Sequence, residues 1–161
     1  MSEYPASGGF RVSTDPQQEA AARGRPSQVH LKWVSEHKFD VGRPGRPAVR
    51  FDGDGMAGPS PVDGLLASLA SCTAVDVVDI LAKRRTPVES LEIDVIAKRV
   101  DTVPRRLEHV MLTYRIGGAG IERVHAERAV ELAVTKYCSV RDSLRPDVPV
   151  EWTIELASET T

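Results

Sequence analysis

The chain has 161 residues, 41% of them hydrophobic and 5% aromatic, and a formal net charge of -2. That length suits one domain with a core of its own, and the near-neutral charge and scarce aromatic rings argue against nucleic acid as a partner. No run reaches the roughly 18 uninterrupted apolar residues of a membrane span, and no basic stretch followed by an apolar core opens the chain, so no membrane and a cytoplasmic location are expected.

Residues 1–27 are rich in Ser, Gly, Pro, Gln and Arg without apolar periodicity and read as a flexible tail, leaving 28–157 as the domain. From Val29 the residues Leu31, Trp33 and Ser35 alternate with His30, Lys32 and Val34, the period of a strand. The run Gly42 to Pro47 must turn, and Ala48 to Phe51 forms another short strand. Asp52 to Pro59, with Gly53, Gly55 and Gly58, reads as a flexible loop.

Ser60 then opens a helix as N-cap, with Pro61 at the first helical position and Asp63 at the third. Its pattern runs to Lys83 and is apolar on nearly every side, which predicts a helix buried in the middle of the protein. Leu91 to Ala97 and Val110 to Ile116 alternate again and predict a long hairpin. Ile121 to Cys138 returns to helical spacing, and Val148 to Leu156 closes with a strand. Strands and helices do not alternate one for one, which favours an α+β layer structure over a doubly wound sheet.

Cys72 and Cys138 are the two cysteines. In a reducing cytoplasm a pair this sparse is no structural framework, so pairing between them would be functional, although a free Cys is often simply a small buried hydrophobe. Cys72 shares a helix face with Ser68, Asp76 and Asp79, a polar stripe that is either a solvated edge or the lining of a thiol pocket. Two carboxylates beside a thiol oppose the thiolate, so a reactive Cys72 needs a cation from elsewhere. His30, His37, His109 and His125 are scattered without metal-ligand spacing, and the three loop glycines fail the dinucleotide fingerprint, so neither a metal nor a cofactor is expected.

The segment Gly58 to Val78, which contains Ser60-Pro61-Val62-Asp63-Gly64 and Ala70-Ser71-Cys72-Thr73, resembles the Cys-bearing central helix of the OsmC/Ohr family, and Tyr137-Cys138-Ser139-Val140 resembles its second cysteine motif. The resemblance implies an OsmC-like fold: an intertwined homodimer with antiparallel sheets wrapped around two long central helices and sites at the subunit interface. It implies further that Cys72 is the reactive thiol, Cys138 the resolving one and Arg50 the assisting cation. The usual Glu is replaced by Val62, with Asp63 the nearest carboxylate, either a catalytic substitute or a helix-capping group. Ser139 stands where many members have Pro, and both departures place the chain near the less characterised OsmC-like branch.

The expected activity is that of a thiol-dependent peroxidase acting on organic hydroperoxides through Cys72, Cys138, Arg50 and Asp63, and reset by an external thiol or dithiol. The alternative is an OsmC-like dimer that binds a small apolar ligand or senses oxidation without turnover.

Overall fold

The computed structural model describes residues 27–157, so the tail expected over 1–27 lies, residue 27 apart, outside the described residues. Three strands, β1 (His30–Ser35), β2 (Lys38–Gly42) and β3 (Val49–Asp52), make an antiparallel meander. β2 is an element that the sequence pattern did not separate from β1. The chain reverses between Ser35 and Lys38 in a two-residue turn with Glu36 at φ 47, too tight to leave a polar gap in the pattern.

The loop after β3 is built rather than flexible. The buried carboxylate of Asp52 accepts hydrogen bonds from the backbone N–H of Asp54 at 3.0 Å and of Ala57 at 2.9 Å, which hold it well below the usual carboxylate range. Gly58 is needed there for close approach, because a Cβ would sit 2.3 Å from the Arg50 carbonyl oxygen.

Helix α1 (Pro61–Lys83) begins as its sequence signals, with a complete capping box between Ser60 and Asp63. Leu69, Thr73, Val77 and Leu81 point into the core, each burial of a large apolar side chain among them stabilising the fold by about 1.5–3 kcal/mol. By length and composition α1 is apolar enough to cross a bilayer. Within the fold it carries Asp63, Asp76 and Asp79 and lays one face on a sheet, while Val75 and Val78 remain in the open.

That sheet contains β4 (Ser90–Arg99), β5 (Leu107–Gly117) and β6 (Val150–Leu156). β4 and β5 form the predicted hairpin, with Val95 opposite Leu112. β6, however, pairs parallel to β5, so the second sheet is mixed rather than antiparallel. The intervening helices carry the chain back across the sheet, which is the connection a parallel pair requires.

The second helical run also differs from expectation. α2 (Arg123–Leu132) passes into a π-helical turn at Ala133–Tyr137, and Cys138 leaves the helix in an extended conformation to start the short α3 (Ser139–Asp142). The Cys138 N–H donates to the Ala133 carbonyl five residues back at 3.0 Å. Apolar periodicity does not distinguish such a terminal widening from a continued α-helix, and turns of this kind recur at functional sites.

Candidate functional site

The core divides into two clusters. The larger joins Val77 and Leu81 of α1 to Leu112, Tyr114 and Ile116 of β5 and to Ala129 and Val130 of α2. The smaller contains Leu69, Leu107, Val110, Val148 and Cys138, with Cys72 packed against it. The two cysteines, distant in sequence, therefore meet in one small apolar cluster between α1 and the π-helical turn.

Cys138 is buried, 4% exposed, whereas Cys72 is half-buried. Burial pushes the Cys138 thiol up to about 11, and the neighbouring Cys72 adds to the rise. The Arg141 N–H donates to the Cys138 sulfur at 3.2 Å and opposes it, too weakly to prevail in an apolar setting. Cys138 is thus a protonated thiol at neutral pH, held against a more accessible sulfur.

Immediately behind Cys72 lies a pair that sequence reasoning did not single out. The Thr73 hydroxyl donates to the Ala70 carbonyl at 2.9 Å and accepts from the Tyr114 hydroxyl at 2.7 Å. Both residues are fully buried, and desolvation drives Tyr114 up to about 12, with the nearby Cys138 as a smaller contributor. A Thr beside a cysteine and a Tyr in an alternating strand gave no sign in sequence that they would meet.

The other two expected site residues do not join the cysteines within one chain. Asp63 accepts from the Ser60 hydroxyl at 2.6 Å and from the Ser60 N–H at 3.0 Å, and these bonds hold its carboxyl below the usual range. Nine residues before Cys72 on a helix, it lies roughly 13 Å away along the axis and half a revolution around it. Arg50 stands opposite Asp40 in the β2–β3 ladder and donates to its carboxylate at 2.5 Å.

Phe51, the next residue after Arg50, lies so close to Gly64 of α1 that a Cβ there would meet the Phe51 ring at 2.0 Å. Successive side chains of a strand point to opposite faces, so Arg50 is directed away from its own α1. No cluster of three or more His, Cys, Asp or Glu side chains able to hold a metal occurs among the described residues.

Comparison with known proteins follows this geometry. The sequence profile of OsmC-like proteins matches residues 52–153. The chain is also 31% identical over 132 residues to protein YhfA of Escherichia coli K12, covering 81% of this chain and 98% of that one. The chain belongs to the OsmC-like family. A hypothetical protein of Aquifex aeolicus superposes on it with a TM-score of 0.70 at 29% identity, covering 82% and 98% of the two chains. The organic hydroperoxide resistance protein OhrB of Bacillus subtilis shares the fold at a TM-score of 0.56 and 14% identity, covering 81% and 98%. Both motifs that carried the resemblance, around Cys72 and Cys138, fall inside the matched residues.

Proposed function

We propose that the protein is a thiol-dependent peroxidase that reduces organic hydroperoxides and works as a homodimer. The observation that carries this reading is the packing of the half-buried Cys72 against the cluster that contains the buried Cys138, which brings the chain's two cysteines into one apolar site. The Cys72 thiolate attacks one oxygen of the peroxide, the O–O bond breaks, and the alkoxide leaves with a proton as alcohol. Cys72 is then a sulfenic acid. The Cys138 sulfur displaces its hydroxyl, which departs with the Cys138 proton as water, and a Cys72–Cys138 disulfide remains. An external thiol or dithiol returns both cysteines to the reduced state.

The homodimer is supported by the open face of α1, where Val75, 62% exposed, and Val78 one turn on leave apolar surface uncovered on the most apolar of the described helices. It would also resolve the position of Arg50. Turned away from its own Cys72 and held by Asp40, Arg50 would serve a second copy, where a guanidinium near the thiol favours the thiolate and can hold the peroxide oxygens.

Consumption of an organic hydroperoxide in the presence of a dithiol, with wild type and Cys72→Ser compared, tests the reading. Turnover in the wild type that vanishes in the variant is the expected result. A protein that is oxidised once but never turns over would favour a sensing or ligand-binding dimer, the alternative to which Val62, at the usual Glu position, lends weight.

A further inference from the structure

Cys72 and Cys138 are carried by different elements. The π-helical turn holds Cys138 through the bond from its N–H to the Ala133 carbonyl at 3.0 Å, and the Arg141 N–H holds its sulfur at 3.2 Å. Cys72 travels with α1, so its approach to Cys138 is set by how that helix is turned and seated on the sheet. The row that α1 buries, Leu69, Thr73, Val77 and Leu81, is aliphatic except for Thr73. Apolar contact carries no direction of its own and fixes the angle of a helix only through packing.

The Thr73 hydroxyl supplies the direction. It donates to the Ala70 carbonyl at 2.9 Å and accepts from the Tyr114 hydroxyl at 2.7 Å, so its proton is committed to its own helix and its oxygen to β5. β5 is the central strand of its sheet, with Ile93 and Ile154 opposite Tyr114 on either side. Tyr114 belongs to the larger cluster, whereas Val110, on the same face of the strand, belongs to the cluster that contains Cys138. Cys138 is also near enough to the phenol to act on its titration. The hydroxyl pair therefore stands where β5, α1 and the π-helical turn converge, one residue from Cys72.

We propose that Tyr114 is a positioning residue for disulfide closure: through Thr73 it sets the turn of α1 that brings the Cys72 sulfur into bonding reach of Cys138, and so decides whether an oxidised Cys72 is resolved or overoxidised. The tolerance is narrow. A disulfide accepts Cβ separations of about 3.5–4.5 Å. Rotating a helix by about 20° moves each Cα, at a radius of about 2.3 Å, by about 0.8 Å, and the side chain beyond it by more. A slip of that size uses most of the window. The inference deepens, and rests on, the reading of Cys72 as the thiol that hydroperoxide oxidises.

Two reactions compete for the Cys72 sulfenic acid. In closure the Cys138 sulfur displaces the hydroxyl, the S–S bond forms, and the hydroxyl leaves with the Cys138 proton as water. In overoxidation a second hydroperoxide gives one oxygen to the Cys72 sulfur, its O–O bond breaks, and sulfinic acid and an alcohol result. Closure depends on the alignment of two side chains, whereas overoxidation depends on peroxide concentration and needs no Cys138. Loss of the hydroxyl pair should slow the first and spare the second.

The measurement is the organic hydroperoxide concentration at which half of Cys72 becomes sulfinic acid, read by peptide mass spectrometry. Tyr114→Phe and Thr73→Val are each expected to lower it by about fivefold or more, and Thr73→Ser, which keeps the hydroxyl, to stay within about twofold of the wild type. Ile116→Val, a change in the larger cluster on the same strand, is the control for lost stability and should leave the value unmoved. A value for Tyr114→Phe equal to that of the wild type, or an equal fall in Ile116→Val, overturns the proposal. A parallel arm uses saturating diamide, to which the Cys72 thiolate adds and from which Cys138 displaces the hydrazine as the disulfide closes. A disulfide formed by diamide but not by hydroperoxide sinks the peroxidase reading alone. On that arm slower closure in Tyr114→Phe than in Ile116→Val still supports the positioning role, and equal closure overturns it. A wild type that forms no disulfide with either oxidant overturns both.

Discussion

The Tyr114 hydroxyl donates a 2.7 Å hydrogen bond to the Thr73 hydroxyl across the interface of β5 and α1, with both side chains fully buried. Thr73 follows Cys72 directly, so this bond ties the height and rotation of α1 over the sheet to the position of the Cys72 sulfur. Loss of the two partners should not be equivalent. Tyr114→Phe removes one hydrogen bond, worth about 0.5–1.5 kcal/mol, and Thr73 keeps its bond to the Ala70 carbonyl. Thr73→Val strands a buried phenol and should cost more, about 1–3 kcal/mol. Urea denaturation of both variants and of the double variant checks the order, and a double variant no worse than Thr73→Val alone is expected.

Treatment with one equivalent of an organic hydroperoxide should link Cys72 to Cys138 and lower the intact mass by two hydrogens. In Cys138→Ser the sulfenic acid has no partner thiol and should advance to sulfinic acid under excess peroxide. Intact-mass and peptide spectrometry distinguish these states. A sulfinic acid on Cys72 in the wild type at one equivalent would deprive Cys138 of its resolving role.

Alkaline pH should destabilise the fold in a defined window. The Cys138 thiol is raised from 9.0 to about 11 and the Tyr114 phenol from 10.0 to about 12, both chiefly by burial. The unfolded chain therefore releases these protons first, and the stability they contribute is whole below pH 9.0 and is lost as pH climbs toward about 12. Urea midpoints measured across that range should fall, and Tyr114→Phe should flatten the upper part of the decline.

Light scattering at micromolar concentration should give twice the chain mass for the wild type. Val75→Asp places a charge in the middle of the exposed apolar face of α1 and should shift the protein toward the chain mass without changing its helical content, measured by circular dichroism. A wild type at the single-chain mass would remove the homodimer and, with it, the only route by which Arg50 reaches a cysteine.

Arg50→Ala should slow alkylation of Cys72 at neutral pH in a Cys138→Ser background, and the loss should be greater at concentrations where the protein is dimeric. An unchanged alkylation curve at every concentration would reduce Arg50 to the partner of Asp40 on the β2–β3 ladder.

Much of this protein was determined locally and so could be read from the sequence. The helix Pro61–Lys83 starts where Ser60, Pro61 and Asp63 place it, because a capping box is made within four residues. The hairpin of β4 and β5 follows from alternation alone, and the Cys72 and Cys138 segments carry a family pattern that the matching profile confirms.

The tertiary structure decided what depends on elements far apart in the chain. Whether Cys138 meets Cys72 depends on a π-helical turn that periodicity does not register and on how α1 packs beside it. The parallel pairing of β6 depends on the path of the chain across the sheet. Asp63 is consumed by its own cap, and Arg50 is turned from its own α1 because Phe51, its neighbour, packs on Gly64. The physical reason is range: caps and turns are settled by neighbours a few residues apart, whereas the burial that protonates Cys138 and the hydroxyl pair of Tyr114 and Thr73 exist only once helix and sheet have closed on each other.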